Sequence, residues 1–523
     1  MVDHRHPPAA LQLEVDGRQV EVADDGGSLL DVLRTSLGLR SPKDGCSPQG
    51  QCGCCTVLVD GQPRVACVTP ARRVAGRSVT TVDGLPPEVR ARWGDSFCAT
   101  GGSQCGFCTP GIICRLEGLR AKVGGRAGHA AVEQALLAHL CRCTGWRTIL
   151  DAWDHAVGDA PPPDRDLSGA AARATLEGGA PQAVGPSIAL GHGRFADDTA
   201  PPDALVAVPD GQGGWAVGET LAEARAIAGK VQGRRTTVDA APPLALPPGA
   251  WAAALRTSWV EPAFLEPDAS WCEPGGEPYT PLANGGAFGG KHASIVTEAA
   301  RRLAAAHDRP VRVLLNREDV VRLGAKRPPV AGGAGRDGHG VLRVVRTPGI
   351  AEAIGSVAPH LRVEEVAVPG PPTSVALRAA GWAEATVLLA GARGATGPVT
   401  DPVTGATAET ELGGDGAVRV RLDAGELLDA VVLRSYATGA AHMALSWVSS
   451  EGIAVDDAGV VHDLTIRSFG VLRAVDTPPI EIELVRGDGP PVRGCDAVFA
   501  SVAAAAWLHL GCPTDWPTGT RWR

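Results

Sequence analysis

The sequence predicts an α+β multidomain fold: a small β-grasp domain, a small helical bundle, and then a longer mixed α/β region. Three observations carry this expectation. Two hairpin patterns turn at Asp16-Gly17 and Asp60-Gly61, four helix-period segments follow between residues 86 and 157, and Ala160-Pro161-Pro162-Pro163-Asp164 then halts helical structure. At 523 residues the chain exceeds what one hydrophobic core organises, so several domains are expected.

The first domain, residues 1–84, opens with LQLEVDGRQVEV, which alternates in polarity around Asp-Gly, the signal of two strands joined by a type I′ turn. In SLLDVLRTSLG, Ser28 is placed to cap a helix whose Leu29, Leu30, Val32, Leu33 and Leu37 form an apolar stripe ending near Gly38. TVLVDGQPRVACVT reads as a second hairpin and RSVTTV as a further strand. In the second domain, residues 85–160, PEVRARWGDSF, CTPGIICRLEGLRAKV, AAVEQALLAHLC and WRTILDAWDHAV each read as a helix of a small bundle. A Gly/Ala-rich linker is expected over 161–185, and residues 186–523 read as mixed α/β.

Composition narrows the function classes. A net charge of −9 with scattered Lys and Arg supplies no basic stripe for nucleic acid. The start, MVDHRHPPAA, has no charged segment leading into an apolar one, and no run approaches the roughly 18 apolar residues of a membrane span, so a cytoplasmic, membrane-free protein is expected. Of 14 cysteines, 11 precede residue 144. With no export signal, that asymmetry points to metal ligation rather than disulfides.

The cysteines fall into two constellations. Cys46-x5-Cys52-x2-Cys55, followed by Cys67, resembles the plant-type [2Fe–2S] run with one extra residue in the first interval. Gly45, Gly50 and Gly53 permit close wrapping of backbone around a cluster, and Cys67 is expected on the second hairpin. Cys54 adjoins Cys55; neighbouring side chains on extended backbone point apart, so Cys54 is read as a non-ligand. The second set pairs Cys105-x2-Cys108 with Cys141-x-Cys143 near helix starts, where the helix dipole favours negative charge. Cys98 and Cys114 read as small buried hydrophobes. A four-cysteine zinc site is the rival, which the x5 loop and the tight Cys-x-Cys pair fit poorly.

GCSPQGQCGCCTVLVDG followed by QCGFCTPG and LCRCTGWRTIL closely resembles the iron–sulfur half of the xanthine dehydrogenase and aldehyde oxidase family of molybdenum hydroxylases, over residues 10–155. The resemblance implies two [2Fe–2S] clusters held by Cys46, Cys52, Cys55 and Cys67 and by Cys105, Cys108, Cys141 and Cys143. It also implies that Gln104, just before Cys105, touches a molybdopterin cofactor. Further on, GGAFGGK at 285–291 resembles the family's glycine-rich loop beside the metal, which gives Gly286, Phe288 and Gly289 a cofactor-facing role, and Arg378 falls where the family has another such loop.

The region after the linker departs from that family. It is shortened, and the stretch from Gly391 to Val418 stands where pterin-binding loops belong. The family's closing glycine–glutamate pair, the source of the base that deprotonates a metal-bound water, is replaced by Gly494-Cys495, with Asp496 as the nearest acid and readable as a helix N-cap. The family's flavin domain and any nicotinamide fingerprint are missing from this sequence.

Three readings follow. The first is an iron–sulfur electron-transfer chain that carries its own shortened molybdopterin-binding-like region over 186–523 and passes electrons from a molybdenum centre, in that region or on a separate subunit it docks, through two [2Fe–2S] clusters to a flavoprotein or other acceptor. The second is a self-contained hydroxylase of a heterocycle or aldehyde, and the third a non-enzymatic redox-sensing or docking module.

Overall fold

β1 (Ala10–Val15) and β2 (Arg18–Ala23) pair antiparallel with Val15 opposite Arg18. The turn between them takes positive φ at Asp16 (50°) and Gly17 (76°), as a type I′ hairpin requires. The computed structural model describes residues 10–158, 165–229, 238–282 and 286–522. The second hairpin forms as β3 (Thr56–Val59) and β4 (Gln62–Val65), and β5 (Ser78–Thr80) completes a five-stranded sheet of order β2-β1-β5-β3-β4, in which β1 and β5 run parallel. This is the mixed sheet expected of a β-grasp unit.

Two local expectations are corrected. Ser28 caps as expected, with a reciprocal Asp31 contact, but the α-helix covers only Leu29–Asp31 before widening to a π-type turn over Val32–Ser36. Cys67 lies not on the second hairpin but on a 3₁₀ turn, Ala66–Val68, directly after β4.

The four bundle helices form at Pro87–Thr100, Thr109–Val123, His129–Ala135 and Arg147–Val157. The third is shorter than its apolar pattern predicts: a 3₁₀ turn over Leu136–Ala138 ends it, leaving Leu140 and Cys141 on irregular backbone. Part of the expected linker, 161–164, lies outside the described residues, and 170–178 is not a bare connector. It is a helix, Ala170–Gly178, whose Ala170 and Ala174 pack against Val432 and Tyr436 of the long helix Ala430–Ser449.

Among the described residues the mixed α/β region holds three sheets of four, five and four strands. Its main core lies among the helices Trp382–Arg393, Ala430–Ser449 and Cys495–His509 and the strands Thr407–Leu412 and Val418–Asp423. No helix among the described residues is long and apolar enough to cross a membrane.

The helix Ala430–Ser449 joins this region to the bundle. A Cβ on Gly439 would lie 1.7 Å from the Cys143 carbonyl oxygen, so only glycine allows the helix to approach that loop.

Candidate iron–sulfur site

All eight cysteines proposed from spacing are buried and free of disulfides. In the first set, Cys46 Sγ contacts the sulfurs of Cys52 and Cys67, and Cys67 also contacts Cys55. In the second, Cys105 Sγ and Cys143 Sγ are 3.7 Å apart and Cys108 contacts Cys141.

Backbone N–H groups converge on these sulfurs. Gln49 N donates to Cys46 Sγ at 3.2 Å and Cys67 N to Cys55 Sγ at 3.4 Å. Hydrogen bonds from the Cys108 thiol, then from the hydroxyl and backbone of Thr144, pull the Cys141 thiol down to about 6 against the opposing effect of burial. Contacts with Cys52 and Cys67 likewise hold Cys46 well below the usual thiol range.

Among the described residues no group of three or more His, Cys, Asp or Glu side chains converges as a single metal ion requires. The sulfurs of the first set form a contacting run, Cys52–Cys46–Cys67–Cys55, and those of the second set two contacting pairs, four thiols in each case, the number that a two-iron group takes. Buried thiols with lowered pKa members, amide donors aimed at sulfur, and bare Gly286 backbone against Cys105 fit an iron–sulfur group chemically.

The two sets are close neighbours. The Gly53-Cys54 segment packs against Gly111 in the first turn of the helix that begins after Cys108, and Leu140 N donates to Cys52 O at 3.0 Å. Cys54 is fully buried between the two sets, within electrostatic range of Cys46, Cys55 and Cys105. Burial pushes the Cys54 thiol up, partly offset by a hydrogen bond with Cys52.

The residues expected at a molybdopterin lie elsewhere or are already engaged. Gln104 Nε2 donates to Cys143 O at 2.9 Å and to Ser435 Oγ at 3.0 Å, which occupies both of its amide hydrogens. A Cβ on Gly286 would meet Cys105 Sγ at 3.1 Å, so this end of the glycine loop faces the second cysteine set. Gly289 presses against the backbone at Ala376, where a Cβ would lie 1.8 Å from the carbonyl oxygen.

The structure does bring Phe288 and Arg378 together. The guanidinium lies 4.6 Å from the ring centroid, and Arg378 N donates to Phe288 O at 3.2 Å. That guanidinium also bonds Met443 Sδ at 3.0 Å and Cys495 Sγ at 3.3 Å. The cavity beside Phe288 and Arg378 measures about 30 Å³ and that beside Gln104 about 20 Å³. Small-molecule sites run to roughly 300 Å³ or more. The described residues therefore do not fit a pterin cofactor at this place.

Asp496 is not the N-cap expected of it. Gly494 holds that position, and Asp496 sits in the first turn with its carboxylate 3.1 Å from Arg493 Nη2 and 3.5 Å from Arg378 Nε. The helix N-terminus is capped instead by Glu177, whose carboxylate accepts from Gly494 N at 3.1 Å and Cys495 N at 3.0 Å. Glu177 comes from the segment read as linker, so spacing near Gly494 held no sign of it. Sequence reasoning also missed Arg317, a buried guanidinium that donates to Gly45 O and Leu265 O at 2.8 Å each and so anchors the loop entering Cys46.

Comparison with known proteins agrees with this geometry. A family model described as "2Fe-2S iron-sulfur cluster binding domain" matches residues 13–75, and one described as "[2Fe-2S] binding domain" matches 81–154. The chain thus carries two [2Fe–2S]-binding domains in tandem, the mark of a redox protein. It is 36% identical over 166 residues to the "Aldehyde oxidoreductase iron-sulfur-binding subunit PaoA" of Escherichia coli (strain K12), a match covering 28% of this chain and 72% of the relative. It is also 37% identical over 162 residues to "Xanthine dehydrogenase" of Blastobotrys adeninivorans, covering 28% of this chain and only 12% of that relative's length. The aldehyde oxidoreductase from Desulfovibrio desulfuricans ATCC 27774 shares the fold across 95% of this chain and 97% of its own, with a TM-score of 0.68 at 15% identity. The chain belongs to the xanthine dehydrogenase and aldehyde oxidase family of molybdenum hydroxylases.

Proposed function

We propose that this chain is the iron–sulfur electron-transfer component of a molybdenum hydroxylase, with the molybdenum centre on a separate subunit and a flavoprotein or other carrier as acceptor. The observation that carries the reading is the pairing of two buried four-thiol groups across the Gly53–Gly111 contact. Cys46, Cys52, Cys55 and Cys67 would hold one [2Fe–2S] cluster, and Cys105, Cys108, Cys141 and Cys143 the other. Each cluster, when bound, supplies a one-electron redox couple. The protein's part is to exclude water from the sulfurs, to hold amide donors against them, and to fix the two sets side by side, all of which set reduction potentials.

The region from 186 to 523 serves in this reading as a scaffold and docking body. It closes over the second cysteine set through Gly286 and Gly439, and the side chains of Phe288, Arg378, Met443 and Cys495 fill the place where a self-contained hydroxylase needs its cofactor.

Anaerobic purification with metal analysis and electron paramagnetic resonance tests the proposal. Four irons per chain and two reducible signals, with no stoichiometric molybdenum, are expected. Stoichiometric molybdenum, or zinc in place of iron, refutes it.

A further inference from the structure

Two arginines of the α/β region grip the first cysteine loop at its two ends. Arg317 Nη2 donates at 2.8 Å to Gly45 O, just before Cys46, and Arg467 Nε donates at 2.9 Å to Gln51 O, just before Cys52. Each guanidinium is tied to a second segment as well, Arg317 to Leu265 O and Arg467 to Leu137 O, both at 2.8 Å. A Cβ on Gly45 would lie 3.1 Å from Cys52 Sγ, so the residue that Arg317 holds is pressed against a sulfur of the first set.

Neither guanidinium forms an ion pair with a carboxylate among the described residues; both bond backbone carbonyls instead. Arg317 is fully buried, and its Nη1 has no hydrogen-bond partner there. Burial, then the neighbouring Arg473, pull the Arg467 pKa down, and Cys52 and Cys46 pull it up, which places this cation within electrostatic range of two first-set sulfurs. Nearby acids are engaged elsewhere. Asp268, which feels Arg317, feels Lys291 more strongly and accepts from Ser294 Oγ, and Glu318 accepts from Gln49 Nε2 at 2.9 Å. Arg142 at the second set is matched by Glu451. Reduction adds a negative charge to a cluster, so a cation held close by favours the reduced form whatever the charge balance further away, and more strongly where water is excluded.

We propose that Arg317 and Arg467 are positioning residues for the first cluster: they clamp the loop that carries Cys46 and Cys52, and their charges hold that cluster's reduction potential up. The inference rests on the reading of Cys46, Cys52, Cys55 and Cys67 as ligands. It gives the α/β region a part in the redox chemistry of the first cluster as well as in the packing of the second.

Anaerobic redox titration of the full-length, iron-loaded chain, followed by electron paramagnetic resonance, reads the potential of each cluster, and iron is counted on the same samples. In Arg317→Gln the reduction equilibrium of the first cluster should fall about tenfold or more, which is about 59 mV for a one-electron couple. Arg467 is exposed, so Arg467→Gln should fold and should lower the same equilibrium by less, about threefold, an effect that shrinks as salt is raised. Arg317→Lys and Arg467→Lys keep the charge without the planar fork and should stay within about twofold of wild type. The second cluster should move less than the first in every variant. An unchanged first-cluster potential in either glutamine variant that keeps four irons, or an equal fall in the lysine and glutamine variants, overturns the proposal. If Arg317→Gln loses the first cluster, Arg467→Gln alone decides. A wild-type chain that holds no iron refutes the reading of the cysteines and this inference with it, whereas intact clusters with unmoved potentials refute this inference alone.

Discussion

Arg142, between Cys141 and Cys143, and Glu451, at the end of the helix Ala430–Ser449, form a buried two-pronged ion pair, with Nη2 donating to Oε2 at 2.8 Å and Nη1 to Oε1. Arg142 Nε also donates to Pro262 O at 3.0 Å. One side chain thus fixes the second cysteine loop to two distant segments of the α/β region.

Removing one partner leaves the other charge buried and unpaired, so Glu451→Ala should lower stability by about 3–5 kcal/mol. Glu451→Gln, which keeps a hydrogen-bond acceptor, should cost less. Denaturant unfolding reads both. If the second cysteine set holds a cluster, its paramagnetic signal should broaden or shift in these variants while the first stays unchanged. Equal stability of wild type and Glu451→Ala would show that the pair contributes nothing.

The ligand assignment divides the cysteines sharply. Cys67→Ser and Cys105→Ser should each remove one of two reduced-state signals and leave the other, since Cys67 contacts Cys46 and Cys55 and Cys105 contacts Cys143, each within its own set. Cys54→Ser should leave both, because it is Cys55, not Cys54, that contacts Cys67 and accepts the Cys67 N–H. Loss of the first signal in Cys54→Ser would mean that Cys54, rather than its neighbour, is the ligand.

His442 carries a pH prediction. Burial, and then the nearby Arg142, push its pKa from 6.5 down to about 3, and its ring bonds the Leu472 carbonyl at 3.1 Å through Nε2 while buried Nδ1 has no partner among the described residues. The folded chain therefore keeps His442 neutral where the unfolded chain binds a proton. Its contribution is complete above pH 6.5 and is lost progressively as pH falls toward about 3, at about 1.4 kcal/mol per pH unit at most. Unfolding free energies of wild type and His442→Gln should converge as pH drops through this window. A gap that stays constant from neutral to acid pH refutes the assignment.

What could be read from the sequence follows from how local the causes are. The Asp16-Gly17 turn, the Ser28 cap and the cysteine spacings are set by residues a few positions apart, and each is found in the structure. Cys67 falls one element later than its pattern suggests, because a 3₁₀ turn has the same short apolar run as a strand end. Arg142 with Glu451, separated by 309 positions, and Glu177 with Gly494, by 317, leave no mark in any window of sequence. Resemblance to the family gives Phe288 and Arg378 a cofactor-facing role; the structure packs the two against each other with about 30 Å³ beside them, and resemblance carries over residue types and not the volume left between them.

The last prediction concerns catalysis. A hydroxylase base must lie within hydrogen-bond reach of the proton it takes, and it contributes roughly 10²–10⁴-fold to the rate. Asp496, the nearest acid to the missing glycine–glutamate pair, is 6% exposed and flanked by two guanidinium groups, Arg493 and Arg378. Glu177 is closer to Gly494, but its oxygens accept two backbone N–H groups and an Arg173 contact at 3.2 Å. Neither carboxylate lines the small cavities near Gln104 and Arg378. The isolated chain, with its clusters intact, should therefore show no turnover of purines or aldehydes with an artificial acceptor, and Asp496→Asn should change stability rather than rate. Robust turnover that disappears in Asp496→Asn would make that residue the base, and would mean that the space beside Phe288 opens to admit a cofactor.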